Sequence, residues 1–232
     1  MLTFFHYESA VKDGNLAVQH GDPATVVAAT QTFLGSHGLA LKDCILIECQ
    51  HTDNITHVTA KEKSRTIPTE ALITDEPGVL LLLLTGDCFP VSFYDLVQQV
   101  VALAHLGWKP TDRNLAAKVV QQMVEVYGSQ AKDIEVYIGS GIQKESYVFP
   151  EAVQKGQPGW ESFVTDMQSG EVSVDLVGHI TQQLHSAGVL PSNISNSPIG
   201  TATSAERFSY YRSVRSGEPQ ARFATVVGLS QV

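Results

Sequence analysis

The apolar positions of this chain fall into short runs with two different spacings. Val79 to Leu84 is continuous rather than alternating, the pattern of a strand covered on both faces. The turn Asp75-Glu76-Pro77-Gly78 stands before it. Ile45 to Cys49, Ile55 to Ala60, Ile134 to Ile138, the neighbourhood of Ile194, and Arg222 to Val227 also read as strands. Pro90 to Tyr94 and Val100 to Ala104 flank a turn near Asp95 and read as a hairpin, while Ala71 to Thr74 reads as a short strand or a helix end. A helical spacing takes over in three places. One helix is expected from Ala24 to Ser36, with Asp22 as N-cap, Pro23 in the first turn, and Val27, Phe33 and Leu34 facing inward. A second runs over Thr111 to Tyr127, apolar at Leu115, Val119, Met123 and Val126, and stops at Gly128. A third starts after Val174-Asp175, runs through His185 and is closed by Gly188. Leu2 to Gln19 is mixed, and Lys61 to Thr69 reads as an exposed loop.

Helices alternating with strands predict an α+β (α/β-like) fold, with a central mixed β-sheet and helices on both faces. No repeat, linker or low-complexity tract interrupts the pattern, so residues 1–232 read as a single domain. Composition agrees: 43% hydrophobic and 17% charged residues suffice for a substantial core. The net charge of −9, with 15 scattered basic residues, argues against nucleic acid as a partner. No apolar run is long enough to span a membrane, and the N-terminus lacks a basic region followed by an apolar one. Three cysteines without framework spacing suit a reduced, cytoplasmic setting.

The candidate chemistry sits at the ends of the expected strands. His51, Cys88 and His105 each fall at or just past such an end, 37 and 17 residues apart. Two imidazoles and a thiol gathered there make either a Cys/His hydrolytic pair or a three-ligand zinc site with an open fourth position. Asp87, beside Cys88, could orient a ligand imidazole from behind. Trp108 could stack on an aromatic ligand, and Lys109 and Arg113 precede a helix, where anions are welcome. His20, His37, His57, His179 and His185 read as structural or solvated, the last two on a helix near the surface. Cys44 and Cys49 read as core residues.

Several ordered motifs together resemble the YfiH-type purine nucleoside phosphorylase, or laccase-domain, family. Asn15-Leu16 through Gly21-Asp22 resembles its SLNLG…GDD stretch, and Gln50-His51-Thr52-Asp53-Asn54-Ile55 its QVHG…V segment with one residue missing. Thr85-Gly86-Asp87-Cys88-Phe89-Pro90-Val91 resembles TADCLPV, His105-Leu106-Gly107-Trp108-Lys109 resembles HAGWRG, and Ile138 to Ile142 resembles IGPAI. Phe208-Ser209-Tyr210-Tyr211-Arg212 is similar to FFSYRR, and Ala221-Arg222-Phe223-Ala224 to GRMA. The resemblance implies zinc on His51, Cys88 and His105, the catalytic centre, and a purine nucleoside site beside it. Lys109 and Arg212 are then candidate anion or ribose contacts, and Tyr147 and Tyr210 candidate walls for the base. The implied reactions are phosphorolysis of adenosine, inosine, guanosine or methylthioadenosine, and adenosine deamination, with nucleoside and phosphate as partners. Lys109 and Pro110 replace the family's Arg and Gly, Val148 a Glu, and Gly200-Thr201 a Cys-Thr pair, and the first-helix Asn-Arg pair is absent. Two alternatives stay open: a Cys/His hydrolase or amidase acting on a cell-wall precursor, and a non-catalytic zinc and nucleoside binding protein.

Overall fold

The computed structural model describes residues 2–231. Its strands are β1 (Leu2–Glu8), β2 (Cys44–Glu48), β3 (Ile55–His57), β4 (Thr66–Pro68), β5 (Ala71–Thr74), β6 (Leu80–Thr85) and β7 (Phe89–Asp95). They continue with β8 (Val100–Leu106), β9 (Glu135–Ile138), β10 (Val148–Phe149), β11 (Val164–Asp166), β12 (Val172–Val174), β13 (Ile194–Asn196) and β14 (Phe223–Gln231). The α-helices are α1 (Pro23–Ser36), α2 (Trp108–Asp112), α3 (Leu115–Tyr127), α4 (Leu176–Ser186) and α5 (Tyr210–Ser216).

The expected α+β class and the helices on both faces are present, but the helices enclose a pair of sheets. One sheet has the order β1-β14-β6-β2-β4, the other β13-β9-β7-β8-β5-β3, and β10-β12-β11 forms a small third. Both large sheets mix parallel and antiparallel pairs. Alternation along the strands explains the layering. Leu81 and Leu83 of β6 and Val227 and Leu229 of β14 meet Leu72, Val101 and Leu103 of the second sheet in a shared core. Leu80 and Leu82 point the other way, onto Phe33 and Leu34 of α1. Val100, Ala102 and Ala104 face α3 and α4 through Leu115, Val119, Ile180 and Leu184. The runs Leu80 to Leu84 and Val100 to Ala104 are therefore apolar without a break because each is covered on both sides.

α1 begins where its cap predicts: Asp22 Oδ2 accepts from Thr25 N at 2.9 Å, and Pro23 occupies the first turn. Val27, expected inside, is 40% exposed, and Val26 takes the inner position. The expected helix over Thr111–Tyr127 is broken into α2 and α3 at Asn114, whose φ of 61° lies in the left-handed region. Gly128 then ends α3 as expected. Three stretches differ from their sequence reading: Leu2–Glu8 is a full strand, Thr66–Pro68 pairs with β2 inside the expected loop, and β3 stops at His57. The β1 register alternates Phe5 and Tyr7 with Phe4 and His6, a two-residue period that Leu2 to Gln19 taken whole conceals.

Candidate functional site

Three chain segments meet at the ends of β2, β6 and β8. β2 ends at Glu48 and delivers Cys49 and His51, the latter with a φ of 57°. Between β6 and β7, the turn Gly86-Asp87-Cys88 delivers Cys88. β8 extends to Leu106, so His105 lies within the strand, in register with Pro90, and is 3% exposed. The rings of His51 and His105 stand edge to face with centroids 5.4 Å apart. Cys88 Sγ and His105 Nε2 both face Gly107: a β-carbon on that glycine would stand 2.8 Å from the sulfur and 3.8 Å from the nitrogen. All three line one cavity.

The residue behind His105 is not the one expected. Glu70, fully buried, accepts from His105 Nδ1 at 2.7 Å. Its other oxygen accepts from Gln50 N at 2.5 Å and Thr52 N at 3.1 Å, which ties the His51 loop to the same carboxylate. Burial would raise the Glu70 pKa, but the His105 hydrogen bond and charge hold it below the ordinary value. Asp87 does different work. It accepts from Thr201 Oγ1 and from Tyr211 N, each at 2.6 Å, with a φ of 118° that these anchors and Ile142 N on its carbonyl hold in place. Burial pushes its pKa up against those hydrogen bonds.

Cys49, expected in the core, is half-buried: it packs against the core that Ile45 and Ile47 enter, and it also lies with Glu70 and His105 in a cluster whose donor atoms are within 4.8 Å of one another. Of these three, Glu70 has both oxygens engaged by the protein, which suits an orienting role better than a coordinating one. Burial alone would depress the His105 imidazole; the charges of Cys49 and Cys88 and their hydrogen bonds hold it well above its usual value. His51 is lowered by burial and by His105, with a small addition from Lys109, against an opposing pull from Glu70. Soft thiols with imidazoles, one of them locked in tautomer by a carboxylate, form a donor set that fits a thiophilic divalent metal.

The cluster opens into a cavity of about 510 Å³, of the size that takes a small organic ligand. Tyr147, Phe149, Trp108 and Tyr210 supply aromatic wall, and Lys109 and Arg222 supply positive charge. Lys109 Nζ lies 5.6 Å from the Trp108 ring centroid. Arg113 lines a neighbouring 390 Å³ pocket that shares His51, Trp108 and Lys109 with the first. Arg212, a predicted contact, is outside the cavity: its guanidinium donates to Thr201 O, Ser204 O and Arg207 O at 2.7–2.8 Å and to Glu218 at 3.1 Å. Arg222, whose side chain donates to Ala221 O at 2.9 Å, lines the cavity instead. The sequence reading missed it, although it lies in the Ala221-Arg222-Phe223-Ala224 stretch that resembles GRMA. The other histidines are peripheral, and His179, expected near the surface, is buried between Trp160 and Phe163.

The family model described as multi-copper polyphenol oxidoreductase laccase matches residues 6–230. The chain belongs to that family. It is 30% identical over 200 residues to a purine nucleoside phosphorylase of Deinococcus radiodurans, covering 85% of this chain and 76% of that one. The crystal structure of YlmD from Geobacillus stearothermophilus superposes with a TM-score of 0.86 at 25% identity, covering 99% of this chain and 91% of YlmD. That of the Bacillus licheniformis hypothetical protein YfiH gives 0.83 at 26% identity, with 92% and 85% covered. Among the described residues no helix is long and apolar enough to cross a membrane.

Proposed function

We propose that this family member is a zinc-dependent enzyme of purine nucleosides, which cleaves the glycosidic bond with phosphate, deaminates adenosine, or does both. One observation carries the reading: a thiol–imidazole cluster forms one end of a nucleoside-sized cavity walled by aromatic rings and two cations. The purine nucleoside phosphorylase name of the Deinococcus relative points the same way. His51, Cys88 and His105 hold the zinc, and Glu70 fixes His105 so that Nε2 faces the cavity. When bound, the ion supplies Lewis-acid polarisation at the reacting centre. Tyr147 and Tyr210 flank the base, and Lys109 and Arg222 attract the phosphate dianion. Phosphate attack at the anomeric carbon releases the free base and leaves ribose 1-phosphate. Deamination instead adds water and releases ammonia, giving inosine. Three free cysteines, two of them at the site, suit the reducing cytoplasm.

The test is to incubate zinc-loaded protein with adenosine, with and without phosphate. Phosphate-dependent adenine or phosphate-independent inosine is expected. The absence of both, while a purine nucleoside phosphorylase relative turns over in parallel, would sink the reading.

One feature favours a second reading. Glu70, His105 and Cys88 are placed in the order acid, imidazole, thiol, as in a Cys/His hydrolase. Metal content separates the two, since a thiolate engaged by zinc is not free to attack a carbonyl. Alkylation of Cys88 that proceeds equally with and without zinc would favour the hydrolase.

A further inference from the structure

A His–Cys–His set needs one sulfur, and this site has two. Cys49 stands two residues before His51, directly after β2, with its Sγ within 4.8 Å of a His105 ring nitrogen. Cys88 Sγ approaches the same imidazole beside Gly107. Both sulfurs and both histidines line one cavity. The His105 side chain is buried, and Glu70 holds its Nδ1. That leaves Nε2 as the nitrogen that faces the thiols. Glu70 spends three of its lone pairs on Gln50 N, Thr52 N and His105 Nδ1, which suits it to orienting the imidazole.

We propose that Cys49 is a fourth, displaceable metal ligand that closes the coordination sphere formed by His51, Cys88 and His105. The inference rests on the zinc reading above and goes beyond it. Three protein ligands leave one position for substrate chemistry, whereas two thiolates and two imidazoles make the closed set of structural zinc sites. In this chain Cys49 and the incoming reactant therefore compete for one position. With its sulfur on the ion, the metal would be shielded; with it off, the ion would be open to the cavity. Coordination through the Cys49 thiolate changes no oxidation state, so no redox partner is involved.

Cobalt(II) is the probe, because each thiolate on it adds a sulfur-to-metal charge-transfer band. We expect the wild-type protein to bind one equivalent and to show the intensity of two thiolates. Cys49→Ser keeps the equivalent and loses half of that intensity, and it yields cobalt to a chelator faster. Cys88→Ala loses the other half. A second readout needs no variant: mass-spectrometric mapping after iodoacetamide shows both Cys49 and Cys88 protected in the zinc-loaded protein and modified in the metal-free one. If Cys49 is alkylated in zinc-loaded protein while Cys88 is protected, or if Cys49→Ser leaves the charge-transfer band whole, Cys49 is no ligand and the three-ligand reading stands. If neither metal binds the wild-type protein, both fall together.

Discussion

Glu8 and Glu70 are both shielded carboxylates that accept from backbone amides and face a basic side chain, yet their far sides differ. Glu8, with a side chain 6% exposed, takes Ser140 N at 2.8 Å, Ser140 Oγ at 2.6 Å and Arg207 Nη2 at 3.1 Å, with His6 Nε2 at 3.5 Å. Every partner turns inward, and Ser140 continues to Ser197. The cluster is a staple that fastens the first strand to loops more than a hundred residues away. Glu70 uses the same kinds of bonds, but its imidazole partner presents a second nitrogen to a cavity. Partners that close on one another hold a fold together. One group left facing open space turns the same arrangement into a site.

Removing the staple should have the largest effect of any change considered. Glu8→Ala leaves Arg207 buried without its partner, and we expect a loss of about 3–5 kcal/mol in urea unfolding. Bound zinc per folded chain should not change. A drop in zinc stoichiometry would erase the distinction between the two clusters.

The acid limit follows from the same carboxylate. Burial would raise its pKa, but His6 and Ser140 bring it down from 4.5 to about 2. A folded-state value below the unfolded one contributes stability above pH 4.5 that is lost as pH falls through about 2. The contribution is about 3 kcal/mol. The stability gap between wild type and Glu8→Gln should therefore shrink between those two pH values, measured by denaturant titration at each pH.

At the open cluster the readout changes from stability to metal. His105→Ala should lose zinc by elemental analysis and cut nucleoside turnover by at least about a hundredfold. Glu70→Gln, which keeps the shape and weakens the grip on His105, should lower zinc affinity by about ten- to a hundredfold. If Glu70→Gln matched Glu8→Ala in stability loss and left zinc affinity alone, Glu70 would belong with the staple.

The two arginines give the finest contrast. Arg222→Ala should raise KM for phosphate by about tenfold or more, the scale of a charge-assisted hydrogen bond. Arg212→Ala should lower the unfolding temperature and leave that KM unchanged, because its guanidinium serves three carbonyls and Glu218. Steady-state kinetics beside thermal melts separate them.

The same contrast shows what could be read from the chain. β6 was legible because burial on both faces leaves a continuous apolar run, and α1 because Asp22 and Pro23 announce its start. Cys88 and His105 stood out as uncommon residues at strand ends. Glu70 carried no such mark: a lone acidic residue before Ala71 reads as solvated, and only the pairing of β5 with β8 sets it behind His105. Cys49 closed an apolar run and so looked like core. It does pack against the core of Ile45 and Ile47, but it also lines the cavity, which the run does not record. Arg212 and Arg222 are equivalent as letters, and what separates them is which one finds carbonyls to satisfy it. The second sheet also had no local signature, since one face of a strand does not record whether it meets a helix or another sheet.

The sheet order β1-β14-β6 has a consequence for how the molecule is made. β14 pairs with β1 on one side, Phe4 opposite Leu229, and with β6 on the other, Leu82 opposite Val226. A chain emerging from the ribosome therefore holds an unfilled slot between its first and sixth strands until β14 has been synthesised. Arg222, immediately before β14, arrives with the strand that fills the slot. Closure of that sheet and completion of the cationic wall are then a single late event, gated by contacts more than two hundred residues apart in the chain.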